Sequence, residues 1–271
     1  MSPIAPALDR LGERVAELTA RFGQCVDAAA LGVSDRAGLL QLDEPGRISA
    51  NRACHLFRAA DDWLAANLAR DEDRDLVSAW LREEVAGDVW PALERAAPSR
   101  TADDLLADAI MLGLPVSRVS EAVPGAAPRL RLGASAAARS ALRVVDLSAL
   151  WAGPMCGAIL AAMGAEVLKI EATTRPDPTR ATMPAFFERL NGRKSELSLD
   201  FATPSGRAQL WNAFSTANIV ITSARPRAFA GLGLTPDAVF AANPSLVWVA
   251  ITGHGWSGAA GERVAFGDDA A

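Results

Sequence analysis

The stretch DLSALWAGPMCGAILAAMGAEVLKIEA, residues 146–172, leaves an apolar strand through a Gly-Pro turn, enters a small-residue helix and ends in a second apolar strand. That order is the start of a crossover unit, and it aims the free amides and positive dipole end of a helix at the strand tips, where anions bind. A dinucleotide fingerprint would need glycines spaced GxGxxG after the first strand. Here they are Gly153, Gly157 and Gly164, and Pro154 removes a donor where the second fingerprint glycine would allow close approach. Pro154 instead suits the first turn of a helix, and Gly157 suits close packing. Glu171 stands at the second strand's end, as a ribose-binding acid would. The turn therefore reads either as packing alone or as a phosphate site for a larger carrier molecule, with a nicotinamide or flavin oxidoreductase as the third reading.

Working outward, strand-like apolar runs at 143–148, 165–171, 195–201, 218–223 and 245–253 alternate with helical stretches at 154–163, 204–216 and 236–242. Alternation of this kind predicts an α/β fold, a doubly wound, Rossmann-like parallel sheet with ligands at the carboxyl ends of its strands. Thr203-Pro204 and Thr235-Pro236 each put a capping hydroxyl before a proline at the first helical position.

The first half has a different rhythm. Residues 7–26 place Leu8, Leu11, Val15, Leu18, Phe22 and Val26 at helical spacing, which predicts an amphipathic helix. HLFRAADDWLAANLA, 55–69, predicts a hairpin turning at Asp61-Asp62, followed by helices near 71–85 and 88–96. Thr101 with Asp104 starts a capped helix that Gly113 and Pro115 end. From 121 to 140 the sequence is Pro, Gly, Ala and Arg without periodicity, a linker. The expected division is a smaller α+β module over 1–125, a linker over 126–140 and a Rossmann-like domain over 141–271.

With 271 residues, 27 basic and 32 acidic, the net charge is −5, and the acidic excess falls in residues 1–140 (16 basic, 21 acidic). No nucleic-acid partner is expected from such a field. Lys169 and Lys194, the chain's two lysines, lie in the neutral half near Arg175, Arg180, Arg189 and Arg193, either as an anion-binding cluster or as solvated loop charges. Cys25, Cys54 and Cys156 form no CxxC and only His55 and His254 accompany them, so no metal site or disulfide framework is expected. The absence of an apolar run near 18 residues, and early charges at the N-terminus, lead to an expectation of no membrane partner and a reducing cytoplasm.

Several motifs resemble, in order, those of the class III coenzyme A transferases, the group of formyl-CoA and carnitine-CoA transferases and α-methylacyl-CoA racemase. They are VVDLSALWAGPMCGAILAAMGAEVLKIEA, RPDPTR, FFERLNGRKSELSLDFATPSGRAQL, NIVITSARPRAFAGLGL and NPSLVWVAITGHGWSG. The resemblance runs from about residue 143 to the end and implies a sheet that carries coenzyme A at its strand tips. By position it puts Trp151 and Ala152 at the first CoA-contacting turn, Arg180 on a phosphate-contacting arginine, and Leu199, Asp200, Phe201 and Ala202 on the adenine and ribose segment. Ser223, Ala224 and Arg225 fall on a further contact loop, and Ala265, Phe266, Gly267 and Asp268 on a later one. Ala202 stands where many members have lysine, and Gly231 where some have arginine; Arg225 and Arg227 are the cations that could compensate.

The resemblance also implies chemistry: an aspartate attacks an acyl thioester, forming a mixed anhydride that CoA thiolate and then an acceptor acid resolve. That aspartate is expected beyond Ala271, which makes Asp268 and Asp269 poor candidates and the Rossmann-like domain incomplete at its C-terminus. His254, in GHGWSG, is a candidate acid–base residue near the family's mobile region, or else a structural histidine. GRISANRACHLFRAADDWLAANLARDEDRDLVSAWL and TADDLLADAIMLGLPVSRVSEA resemble, more faintly, the family's small domain, here preceding the large one. The resulting expectation is transfer of CoA between an acyl-CoA and a carboxylic acid, in a homodimer or a heteromer with a related subunit. The alternative is a non-catalytic CoA-binding subunit or pseudoenzyme.

Overall fold

The computed structural model describes residues 4–28, 31, 46–119, 121 and 142–269. The chain divides into two compact units, one formed by 1–41 with 131–251 and the other by 42–130 with 252–271. This grouping differs from the sequence division at two segments: 1–41 goes with the large sheet, and 252–271 with the smaller module. The linker expected at 126–140 lies outside the described residues.

In the second unit, β1 (Cys54–Arg58) and β2 (Trp63–Asn67) form the expected hairpin, and β3 (Val116–Arg118) adds to β2, all antiparallel. Helices pack on the face that carries Phe57, Leu64 and Val116. At the centre Trp80 is fully buried, meets the Phe57 ring edge-on at 5.9 Å and donates its indole N–H to the Leu105 carbonyl at 2.8 Å. The indole thus adds a satisfied polar contact to a large apolar area. The helix expected near 71–85 is two short helices, Asp71–Asp75 and Val77–Leu81, because Arg82 takes a left-handed backbone (φ 58°) that ends the second. Helix Ala102–Leu112 follows its sequence signals: the Thr101 hydroxyl accepts from the Asp104 amide at 3.2 Å, and left-handed Gly113 closes it.

The first unit begins with helix Ile4–Ala20. It stops short of the expected residue 26 because the backbone turns left-handed at Gly23, whose amide bonds back to the Ala20 carbonyl. Its sheet comprises β4 (Arg143–Leu147), β5 (Glu166–Ala172), β6 (Ser195–Leu199), β7 (Ile219–Thr222) and β8 (Val247–Ala250). Every pairing is parallel and the order is β6-β5-β4-β7-β8. The strands step outward from β4 to β6 on one side and from β7 to β8 on the other, so the direction of progression reverses between β4 and β7. Helices Ala152–Ala162, Pro184–Asn191, Pro204–Thr216 and Pro236–Ala242 lie in the four crossovers, the second of them not expected from the sequence, and the hydroxyls of Thr203 and Thr235 accept the amides of Gly206 and Ala238 as the Thr-Pro pairs predict.

Candidate functional site

The turn after β4 sits at the switch point of the sheet, beside the turn after β7. The two are tied directly, since the Ala149 amide donates to the Ser223 hydroxyl at 3.0 Å. A helix starts at Ala152, with Trp151 before it and Leu150 in a left-handed conformation (φ 70°). Positive φ at leucine is a strained choice held by neighbours. The neighbour here is Asp177, whose carboxylate accepts the Leu150 amide at 3.1 Å.

The glycines of this turn serve contact with protein. A Cβ on Gly153 would lie 2.2 Å from Ser148 Cβ and Oγ, so the helix enters in contact with the strand tip. One on Gly157 would lie 2.8 Å from Asp146 Oδ2 and 2.9 Å from Lys194 Nζ. The spacing that fails as a dinucleotide fingerprint is the spacing needed to seat a helix over a buried ion pair.

That ion pair corrects the sequence reading of the lysines: both are buried, so neither is a solvated loop charge nor placed to meet a ligand. Lys194 Nζ lies 2.7 Å from Asp146 Oδ2 and donates to the Pro154 carbonyl and to Asn191 Oδ1, each at 2.8 Å. Burial pulls its pKa down while the Asp146 charge pulls it up; burial wins. Asp146 Oδ1 accepts from the Ser148 amide at 2.9 Å and from the Ser148 hydroxyl. Lys169 donates to the Ser148 carbonyl at 2.9 Å and pairs with Asp177 at 3.4 Å. The two ammonium groups therefore brace the first turn from below and from the side.

Arg180 stands on the outer side of β5. Its guanidinium reaches Glu171 at 3.1 Å and Glu196 at 2.9 Å, and lies 4.1 Å from the centroid of the Phe187 ring. Burial works to lower its pKa, and the bonds to Glu196 and Glu171 overcome that and raise it. Glu171 also faces Lys169 at 3.6 Å and is mostly buried. The residue expected to resemble a ribose-binding acid is thus held by two cations of its own chain.

Of the remaining candidates, Trp151 meets Phe186 edge-on at 6.2 Å, and Ala152 is exposed at the helix start. Leu199 is buried; Asp200, Phe201 and Ala202 form the turn beyond β6, where Asp200 accepts the Ala202 amide at 2.9 Å. Ser223 and Ala224 are exposed beyond β7, and Arg225 precedes helix Pro226–Gly231. These residues and Arg180 all belong to the first unit.

Ala265, Phe266, Gly267 and Asp268 belong to the second unit, as does His254. His254 Nε2 is 3.5 Å from the Ser117 hydroxyl, and burial, then the Arg263 charge, lowers its pKa. Asp269, passed over at the sequence level, is buried with one oxygen accepting the Phe266 amide at 2.8 Å. Burial pushes its carboxyl up to about 6, and burial with the nearby charges of Asp269 and Asp268 pushes the Cys54 thiol up to about 12. A thiol so shifted is inert at neutral pH. Among the described residues no group of three or more His, Cys, Asp or Glu could hold a metal ion, and no helix is long and apolar enough to cross a membrane.

A parallel sheet with this order defines a doubly wound α/β protein, a class whose ligands bind beside the switch point. Residues 140–270 match the family model CoA-transferase family III. The chain is 33% identical over 129 residues to a probable fatty acyl-CoA transferase of Mycobacterium tuberculosis, covering 45% of this chain and 33% of the relative. It is 34% identical over 132 residues to the succinate–glutarate CoA-transferase of Agrobacterium fabrum, covering 44% and 33%. It is 32% identical over 137 residues to the alpha subunit of a succinyl-CoA–L-malate CoA-transferase of Chloroflexus aurantiacus, covering 47% and 32%. The match thus spans about a third of each of these relatives.

Proposed function

We propose that the first unit is the coenzyme A-binding module of a class III CoA-transferase, serving transfer of CoA between an acyl-CoA and a carboxylic acid. The observation that carries this reading is the switch point where the β4 and β7 turns meet through Ala149 and Ser223, inside the segment that matches the family. In this reading Trp151 and Ala152 line the first turn and Arg180 meets a CoA phosphate. Leu199 to Ala202 take the adenine and ribose, and Ser223 to Arg225 form a further contact loop of the same unit. Arg225 and Arg227 supply the positive charge that Ala202 and Gly231 do not, since a guanidinium can hold phosphate bidentately.

None of these residues is the nucleophile that the resemblance implies, so we assign them a binding role and expect little or no thioester exchange from residues 1–271 alone. The alpha-subunit relative favours a second reading: a chain that binds CoA and works with a catalytic partner, as a heteromer or as a dimer. Incubating the chain with succinyl-CoA and a dicarboxylic acid, with mass spectrometric detection of the new thioester, tests the assignment. No exchange alone, and exchange on adding a catalytic subunit, is the expected result; brisk exchange by the chain alone would overturn the assignment of roles.

A further inference from the structure

Asp177 is a buried carboxylate in an otherwise exposed loop. It stands in RPDPTR, residues 175–180, between β5 and the short helix Thr179–Thr182, and is 3% exposed, while Arg175, Pro176 and Pro178 around it face solvent. Taking a carboxylate out of water there is unfavourable unless specific donors meet it.

Four donors do, and the two carboxylate oxygens divide them between two parts of the site. Oδ2 accepts the Leu150 amide at 3.1 Å and lies 3.4 Å from Lys169 Nζ. Lys169 also donates to the Ser148 carbonyl at 2.9 Å, so the Lys169–Asp177 pair grips the first turn at both ends, just before Trp151. Oδ1 accepts the Thr179 amide at 3.0 Å and the Thr179 hydroxyl at 2.7 Å. The next residue is Arg180, whose amide donates to the Asp177 carbonyl at 3.1 Å. A line of charges runs between the same two places, since Lys169 lies 3.6 Å from Glu171 and Glu171 lies 3.1 Å from Arg180.

We propose that Asp177 is a positioning residue for coenzyme A, one that sets the first turn and Arg180 in a fixed relation to each other without touching the ligand. This inference rests on the CoA-binding reading of the site. Leu150 holds a left-handed backbone (φ 70°) that its surroundings must impose, and Asp177 supplies the acceptor for its amide. Without the carboxylate, the Leu150 amide and both donors of Thr179 lose their partner, the Lys169 ammonium loses one of its two counter-charges, and the turn and the arginine are free to settle independently. Ligand groups held from two loops need those loops placed before binding, and misplacement is read as lost affinity.

The test is calorimetric titration of coenzyme A into the full chain as wild type, Asp177→Ala, Arg180→Ala and the double variant. Asn243→Ala is the control for stability alone, because Asn243 is buried in the same unit, where it donates to the Phe214 and Ala217 carbonyls at 3.2 and 2.8 Å. Asp177→Ala is expected to weaken CoA binding about tenfold, the scale of leaving buried donors unmet. In the Arg180→Ala background the factor should shrink, because Asp177 acts partly through Arg180. Asn243→Ala should lower the urea midpoint and leave CoA affinity unchanged. Asp177→Asn, which keeps one acceptor oxygen, covers failure of the alanine variant to fold and should weaken binding by a smaller factor. Wild-type affinity in both Asp177 variants overturns the proposal, as do factors for Asp177→Ala and Arg180→Ala that simply multiply, or an equal loss of affinity in Asn243→Ala. Absence of CoA binding by the wild type overturns the functional reading and this proposal together, whereas wild-type binding with unaltered Asp177 variants removes this proposal alone.

Discussion

The ammonium group of Lys194 lies 2.7 Å from the carboxylate of Asp146, and neither side chain is exposed. The pair is completed by the Pro154 carbonyl and Asn191, so the β4 strand end, the helix after it and the segment before β6 share one buried polar centre. Removing one member of such a pair leaves an uncompensated charge in low dielectric. Lys194→Met is therefore expected to destabilise the sheet unit by about 3–5 kcal/mol, read from urea denaturation. An unchanged midpoint would mean that the pair is open to water.

Gly157→Ala tests the same centre from the other side. Its methyl group would press on both Asp146 Oδ2 and Lys194 Nζ, at 2.8 and 2.9 Å. Overpacking of this kind costs about 1–3 kcal/mol, and Gly164→Ala is the comparison, since its Cβ would meet nothing but its φ of 89° is strained for alanine. Added to Lys194→Met, the Gly157→Ala cost should shrink, because the two residues are in contact.

Arg180 is shared between Glu171 and Glu196, so an incoming phosphate has to compete with carboxylates already in place. Glu196→Gln removes the more exposed competitor and is expected to tighten CoA binding by about threefold at low salt, since an exposed ion pair is worth roughly 0.2–1 kcal/mol. Weaker CoA binding in Glu196→Gln would mean that Glu196 orients Arg180 for the ligand instead of screening it.

Asp269 makes stability depend on pH. Its carboxyl stands raised from its usual 3.8 to about 6 by burial, so the folded state favours the neutral acid. The sign follows: the contribution is fully present below pH 4, is lost as pH rises toward 6, and is flat above. The loss is on the order of 3 kcal/mol at most, and Asp269→Asn should flatten the profile of chemical denaturation midpoints between pH 4 and 6. A wild-type profile that rises across this range would contradict the burial argument.

The strands were legible because each apolar run is bounded by turn residues, and the helix starts because Thr-Pro and Thr-x-x-Asp carry their own capping chemistry. Parallel pairing follows from the alternation of strands and helices, whereas the strand order does not. The lysines were misread because charge counts along a sequence do not show that Gly157 clears room for an ammonium beneath a helix. Arg180 was placed by position, but its two carboxylate partners come from β5 and β6, strands that only the sheet brings together. Nor could local pattern show that 252–269 belongs with the hairpin, since Arg263 reaches Glu121 and the Val116 carbonyl across more than a hundred residues of chain. The oxidoreductase reading loses its support in the same geometry: Glu171, needed for a ribose, is occupied by Lys169 and Arg180.

Calorimetric titration of the full chain with coenzyme A, repeated with Arg180→Ala, is the most direct measurement. Saturable one-to-one binding is predicted, weakened at least tenfold by the substitution, with NADH giving no heat. No saturable heat with CoA at millimolar concentration, or binding of NADH in its place, would contradict the account.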